Sequence, residues 1–135
     1  MIDISTTIAA DLSEVWVKWN DVKSVQFWSF ASDTWGAEGI ENDLRVGGKC
    51  SSRNFAKDGS SEFIFGWTYN TVEPEKLIDS TMDDGRKIRV VFTEVEGGTR
   101  VDESFDPETE NSEELQREGW QAYLDNFKKF VEMGK

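Results

Sequence analysis

The chain contains no histidine, one cysteine and two prolines in 135 residues. Without histidine there is no Ser-His-Asp or Cys-His catalysis and no His-containing metal site. The single Cys50 excludes an intrachain disulfide and fits a reducing, cytoplasmic setting. Basic residues are also scarce: 15 Lys and Arg stand against 27 Asp and Glu, a formal charge of −12. Such a balance argues against nucleic-acid phosphates and anionic membrane surfaces as partners, since both need a basic face. No apolar run approaches the ~20 residues of a membrane span, and "MIDISTTIAADLSE" has no basic segment followed by an apolar one, so no signal peptide is expected.

What the chain does have is aromatic rings. Hydrophobic residues make up only 37%, but they include six Trp and nine Phe. Each ring can bury roughly 150–250 Å², enough for one core. A length of this order makes a single domain over residues 1–135 the simplest organisation.

Residues 2–9, "IDISTTIA", alternate with period two and predict a strand. Asp11 with Glu14 three positions on reads as a capping box, opening a helix through "VWVKW" that Asn20-Asp21 ends. A second helical turn is predicted over Val22–Trp28, and Phe30–Gly39 as a loop. "IENDLRV" then alternates Ile40, Asn42, Leu44 and Val46 against Glu41, Asp43 and Arg45, with Gly47-Gly48 as a two-residue hairpin turn. No helix pattern follows those glycines, so a phosphate-cradling loop is not expected, and the charged trio reads as a cross-strand surface ladder. Five further strands follow, punctuated by "KDGS", Glu73-Pro74, "DDGR", Gly97-Gly98 and Asp106-Pro107. The last segment, "SEELQREGWQAYLDNFKKFVEM", repeats Trp120, Leu124, Phe127 and Val131 at helical spacing. The order predicts an α+β fold, a curved antiparallel sheet wrapped around a long C-terminal helix, with two short helices after the first strand.

The segments "VWVKWN", "FASDTW", "ENDLRVGGK", "AKDGS", "DGRKIRVVF", "VDESFD" and "QREGWQAYLDNFKKFVE" resemble one branch of the START-like, or SRPBCC, helix-grip superfamily. This branch contains domains similar to the C-terminal domain of the activator of the heat-shock protein 90 ATPase. The resemblance implies an elongated apolar cavity between sheet and long helix, used in relatives for lipids, polyketides or other hydrophobic small molecules. It also marks departures. Relatives often read "WHCP" where this chain has Trp35-Gly36-Ala37-Glu38, and tend to carry aromatics at Cys50 and Ser80 and glycine at Trp67.

Sorting by period two places Cys50, Ser52, Asn54 and Ala56 on one strand face, which the resemblance makes the inward one. Small and polar residues there cannot fill a core at normal density. Either Phe63, Phe65, Trp67 and Tyr69 of the next strand fill the gap, or a ligand or water does. The alternation Val101, Glu103, Phe105 drives a carboxyl inward between apolar neighbours, a costly position unless it is paired. Glu103 is then either a polar anchor or general acid/base in a cavity, or a carboxylate bonded to Asn54, Tyr69 or backbone. Gly119 interrupts the long helix at a cost of ~1 kcal/mol; a close approach by the facing sheet or by a ligand would explain it, close packing being the simpler reason. Trp16, Trp19, Trp28 and Trp35 either roof the cavity or pin the short helices.

The expected function is binding of a hydrophobic small molecule, with Cys50, Ser52, Asn54, Phe63, Phe65, Trp67, Tyr69, Ser80, Glu103, Phe105, Trp120, Leu124 and Phe127 as cavity candidates. The alternatives are a cyclase- or hydrolase-type enzyme using Glu103, and a chaperone-associated interaction domain. No cofactor or metal is expected; Asp106, Glu108 and Glu110 lack a ligand spacing and read as a solvated turn.

Overall fold

The computed structural model describes residues 1–30 and 32–134. Its strands are β1 (Ile2–Ile8), β2 (Trp35–Asn42), β3 (Lys49–Ala56), β4 (Glu62–Glu73), β5 (Leu77–Met82), β6 (Lys87–Val95) and β7 (Gly98–Phe105). Helices α1 (Leu12–Asn20) and α2 (Val22–Val25) follow β1, and α3 (Glu113–Met133) closes the described chain. The strands form one antiparallel sheet in the order β1-β7-β6-β5-β4-β3-β2. Hairpins therefore connect every neighbouring pair except β1 and β7, which meet when the chain returns. This is the curved sheet around a C-terminal helix that the sequence predicts.

The helix starts differ from the expected capping. Asp11 stands at the N-cap of α1, but its side chain makes no capping bond; Glu14 reaches Lys18 at 3.4 Å instead of turning back. Asp21 does cap α2, accepting from the Lys23 amide and the Ser24 hydroxyl. The second helix ends at Val25, and Gln26–Trp28 continue only as turns, with bonds such as Phe27 N to Ser24 O at 2.9 Å. Ser112 caps α3, accepting from Leu115 N at 3.1 Å, with Glu113 and Glu114 complementing the positive helix end.

The stretch read as a loop over Phe30–Gly39 is a strand from Trp35 onward; Ala31 lies outside the described residues. The alternation is hidden because Gly39, at φ 61°, and Ile40 together oppose Ser52 in a bulge. The next expectation also changes. β2 stops at Asn42, and the connection to β3 is a loop over residues 43–48 rather than a two-residue turn. Only Gly47 has positive φ. Gly48 is required by close approach: a Cβ there would stand 2.0 Å from the Asp43 carbonyl oxygen. Its own carbonyl accepts from Tyr69 N at 2.9 Å, so the loop docks on β4. Asp43 and Arg45 pair with each other inside this loop at 2.8 Å. The cross-strand ladder is instead Glu38–Arg53–Glu62 over β2, β3 and β4. Phe55 belongs to that outer face too, beside Arg53 and over Gly36.

The core sits where α3 meets β1, β6 and β7. Ile2, Ile8, Val101, Phe105, Leu124, Phe127 and Val131 are all almost fully buried. Trp19 and Trp28 clasp Phe127 edge-on, with centroids 4.9 and 4.7 Å away, and Trp16 and Trp19 meet Phe92. The helix runs closest to β1 and stands off from β3, β4 and β5.

Gly48→Ala is expected to cost ~3 kcal/mol by urea unfolding, because the clash is with backbone. Gly47→Ala, whose Cβ meets nothing within 4 Å, should cost only the ~1–2 kcal/mol of its left-handed conformation.

Candidate functional site

Where α3 stands off from the sheet there is a cavity of about 320 Å³. Its floor is the inner face of β3 to β7. On β3, Cys50, Ser52 and Asn54 point inward and are buried. Phe63, Phe65, Trp67 and Tyr69 of β4 form one wall, and Ser80 of β5 and Glu103 of β7 also face the space. From α3 comes Trp120, whose ring meets Phe65 at 5.8 Å. Three other candidates do not reach it. Phe105 lies under Trp120, stacked at 3.9 Å; Phe127 is enclosed by Trp19 and Trp28; Leu124 is buried in the same core.

The remaining lining residues are not among the cavity candidates of the sequence, although Trp19 and Trp28 are named there as roof or pins and Gly119 as an unusual helix position. Ile78, Ile88 and Val90 complete the floor, and period two alone could have added them. Gln116, Gly119 and Tyr123 share a stripe with Trp120 at i, i+3, i+4 and i+7, a spacing that was equally legible. Trp19, Asn20, Val25, Trp28 and Ser29 come from the short helices and the turn after them, where no periodicity points to one face. Trp19 and Trp28 thus both roof the cavity and pin α1 and α2, whereas Trp16 only packs on Phe92 and Trp35 lies near the half-exposed Phe63.

Most of the polar groups bond one another; among the ionisable ones described, one does not. Tyr69 donates its hydroxyl hydrogen to Asn42 Oδ1, and Asn42 in turn donates to the Asn20 carbonyl at 2.8 Å. Tyr123 donates to Asn54 Oδ1 at 3.2 Å, while Asn54 Nδ2 donates to Ser52 Oγ at 3.3 Å. Gln116 ties down the segment before α3, bonding Glu108 through both its N–H and C=O and also Asn111 O. Burial pushes the Cys50 thiol up to about 11 and the Tyr123 phenol up to about 12; Tyr69 is likewise raised, by burial first and the neighbouring Cys50 second. All three are neutral at pH 7.

Glu103 is the exception. It is 8% exposed, yet no hydrogen bond or ion pair to its carboxyl exists among the described residues. Its ladder neighbours are Ile4 and Val90, and Val101 and Phe105 flank it on its own strand. The partners expected for it are otherwise engaged, Asn54 with Ser52 and Tyr123, Tyr69 with Asn42. Burial alone pushes this carboxyl up to about 8, so it is mostly protonated at neutral pH.

Gly119 is not closely packed. A Cβ on it would meet nothing within 4 Å, and the position opens onto the cavity. Cys50 lies directly opposite Trp67 in the β3–β4 register. The acidic turn has a structural use: Asp106 accepts from Lys87 N and Glu108 from Asn111 N.

A model of the family described as "Activator of Hsp90 ATPase homolog 1-like protein" matches residues 9–132. The chain belongs to this family. Its structure is similar to the solution structure of an AHSA1-like protein from Aeromonas hydrophila, with 41% identity over 98% of this chain and 94% of that one, and a TM-score of 0.90. A solution structure from Cytophaga hutchinsonii is 42% identical over 98% and 92% of the two chains, with a TM-score of 0.84. A crystal structure from Chromobacterium violaceum, 20% identical over 97% and 96%, has a TM-score of 0.87 and shares the fold. No curated protein sequence matches. Among the described residues no helix is long and apolar enough to cross a membrane.

The Glu103 carboxyl has a folded-state pKa above its unfolded value, so the native state holds its proton while the unfolded chain gives it up. Its contribution is therefore harmless below about pH 4.5, erodes stability as pH rises towards about 8, and levels off beyond. Glu103→Gln is expected to be more stable than wild type by ~2–4 kcal/mol at pH 8 and by little at pH 4.5. Urea melts of both proteins across that range check the convergence.

Proposed function

We propose that this domain binds a hydrophobic small molecule in the cavity between α3 and strands β3 to β5. One observation carries the reading: a space of about 320 Å³, walled chiefly by aromatic and aliphatic side chains, stays unfilled although large rings surround it. Binding cavities have this character, mostly apolar with a few polar groups placed to orient a ligand. Gly119 supports it, since a helix-interior glycine with open space above it weakens α3 without improving its packing. Cys50, Ser52, Asn54, Phe65, Trp67, Tyr69, Ser80, Glu103 and Trp120 would form the contact surface. Proteins of this fold family commonly bind small molecules.

Other readings draw less support. A cyclase- or hydrolase-type enzyme using Glu103 would have an acid there but no activated nucleophile beside it, since burial holds Cys50 as a thiol. A chaperone-associated role rests on the family's description alone.

Native mass spectrometry of freshly purified protein is expected to find a co-purified small molecule. Lipids and aromatic polyketide-like compounds are then screened by thermal shift, where a ligand at 100 times its Kd adds ~2.7 kcal/mol. Gly119→Ala should raise the unliganded protein's stability by up to ~1 kcal/mol, and Gly119→Leu, which projects into the cavity, should remove the ligand-induced shift. A screen that stabilises neither wild type nor the variant overturns the reading.

A further inference from the structure

Glu103 contributes more than a polar edge. Among the described residues that wall the cavity it is the only one that can carry charge near neutral pH: no described Lys, Arg or Asp lines the space, and the chain has no His. Nothing in the described protein compensates that charge, because its carboxyl has no hydrogen-bond or ion-pair partner and its four nearest sheet neighbours are aliphatic or aromatic. An acidic ligand, such as a fatty acid or a phosphate ester, would bring a second anion to a wall that offers no cation. A neutral ligand needs only a hydrogen-bonding group, which Ser52, Ser80 and Asn54 already supply without the electrostatic cost of a buried carboxyl. The one ligand chemistry that uses what only a carboxyl has, the ability to become an anion, is a cation.

The rest of the wall suits a cation as well. Trp19, Trp28, Trp67 and Trp120, with Tyr69 and Tyr123, line the space, and aromatic rings attract organic ammonium groups. The net charge of −12 concentrates cations around the molecule and slows anions. We propose that the cavity takes an apolar organic amine, its ammonium seated on the Glu103 carboxylate and its hydrocarbon body among the rings. This rests on the cavity reading above and adds the ligand's class to it.

The proton balance makes the proposal specific. In the empty site the carboxyl holds its proton up to about pH 8. An alkylamine arrives already protonated, as a lysine side chain is up to pH ~10, so pairing sends the Glu103 proton to bulk water. Affinity for an amine must therefore rise with pH below about 8 and flatten above it. A neutral acceptor that takes a hydrogen bond from the protonated carboxyl behaves oppositely, flat below and falling above. The other titratable groups facing the space, Cys50 of β3, Tyr69 of β4 and Tyr123 of α3, stay neutral throughout this range and add no slope. The faces turned to Glu103 from β1 and β6 are Ile4 and Val90, which do not titrate.

Three size-matched probes test it by calorimetry at pH 6, 7 and 8: 2-(1-naphthyl)ethylamine, 2-(1-naphthyl)ethanol and 1-naphthylacetic acid. The amine is expected to bind at least about tenfold tighter than the alcohol at pH 8. Its affinity should increase about tenfold from pH 6 to 7, with roughly one proton released per amine when two buffers of different ionisation enthalpy are compared. In Glu103→Gln the amine's advantage over the alcohol and the proton release should vanish, and a urea melt of the variant reports separately that it is folded. Tighter binding of the alcohol or the acid, or an amine preference that survives in Glu103→Gln, overturns the amine proposal and leaves the cavity reading standing. Failure of all three probes to bind either protein overturns both.

Discussion

The structure depends on one geometric mismatch: a single helix cannot cover the inner face of a seven-stranded sheet. α3 commits its apolar stripe to the β1–β7–β6 side, where Leu124, Phe127 and Val131 are sealed by β1 and by the rings of Trp19 and Trp28. The opposite side, β3 to β5, is left without a helix against it. Folded proteins normally close such a gap by placing large side chains there, since interiors pack at crystal-like density. Here the floor on β3 is Cys50, Ser52 and Asn54, small residues of which Asn54 meets α3 through the long side chain of Tyr123. Phe65 of β4 does reach Trp120, and that contact bridges the sheet to the helix around the space rather than through it.

The same mismatch explains the electrostatics. A carboxyl on a fully packed inner face would be crushed against hydrocarbon; beside a cavity it keeps room but loses most of its solvent. Glu103 sits at the edge between the sealed core and the open space, with Phe105 on its core side and the cavity before it. Desolvation therefore acts on it without any countercharge, and its proton affinity rises. The neighbouring polar groups cannot relieve it, because the Tyr123–Asn54–Ser52 chain and the Tyr69–Asn42–Asn20 chain each satisfy themselves. Both chains reach out of β3 and β4 to other elements, Tyr123 on α3 and Asn20 at the end of α1. They hold the walls apart at fixed spacing.

Much of this was legible in the chain. Period two sorted the faces of β3 and β7 and drove Glu103 inside, the resemblance made the Cys50–Ser52–Asn54 face of β3 the inward one, and the helical repeat picked out the buried stripe of α3. Local pattern failed where pairing is decided across the sheet. The bulge at Gly39–Ile40 breaks the alternation of β2, so its first half resembles a loop; Gly48 looks like a turn residue, but the closeness of the Asp43 carbonyl is what demands glycine. The partners assumed for Glu103 were reasonable by type and wrong by place, because side-chain hydrogen bonds are allotted in three dimensions. Gly119 misled in the same way. A helix glycine signals that something special happens above it, and a sequence cannot say whether that is a close neighbour or none.

Three positions in this chain break a local rule, and each break costs stability. Gly119 weakens a helix interior, the small inner face of β3 forgoes dispersion contacts, and Glu103 buries a carboxyl without a partner. They lie on three different elements, α3, β3 and β7, and far apart in sequence, so no single local constraint accounts for them. Yet all three border the same space. Sequences generally agree with their folds at every level, and the exceptions concentrate where something other than folding is being served. A packing defect alone would explain the first two positions and leave the third without a cause, since filling a void with hydrocarbon is always cheaper than lining it with an acid. The carboxyl is thus the feature that a merely tolerated void leaves without an explanation.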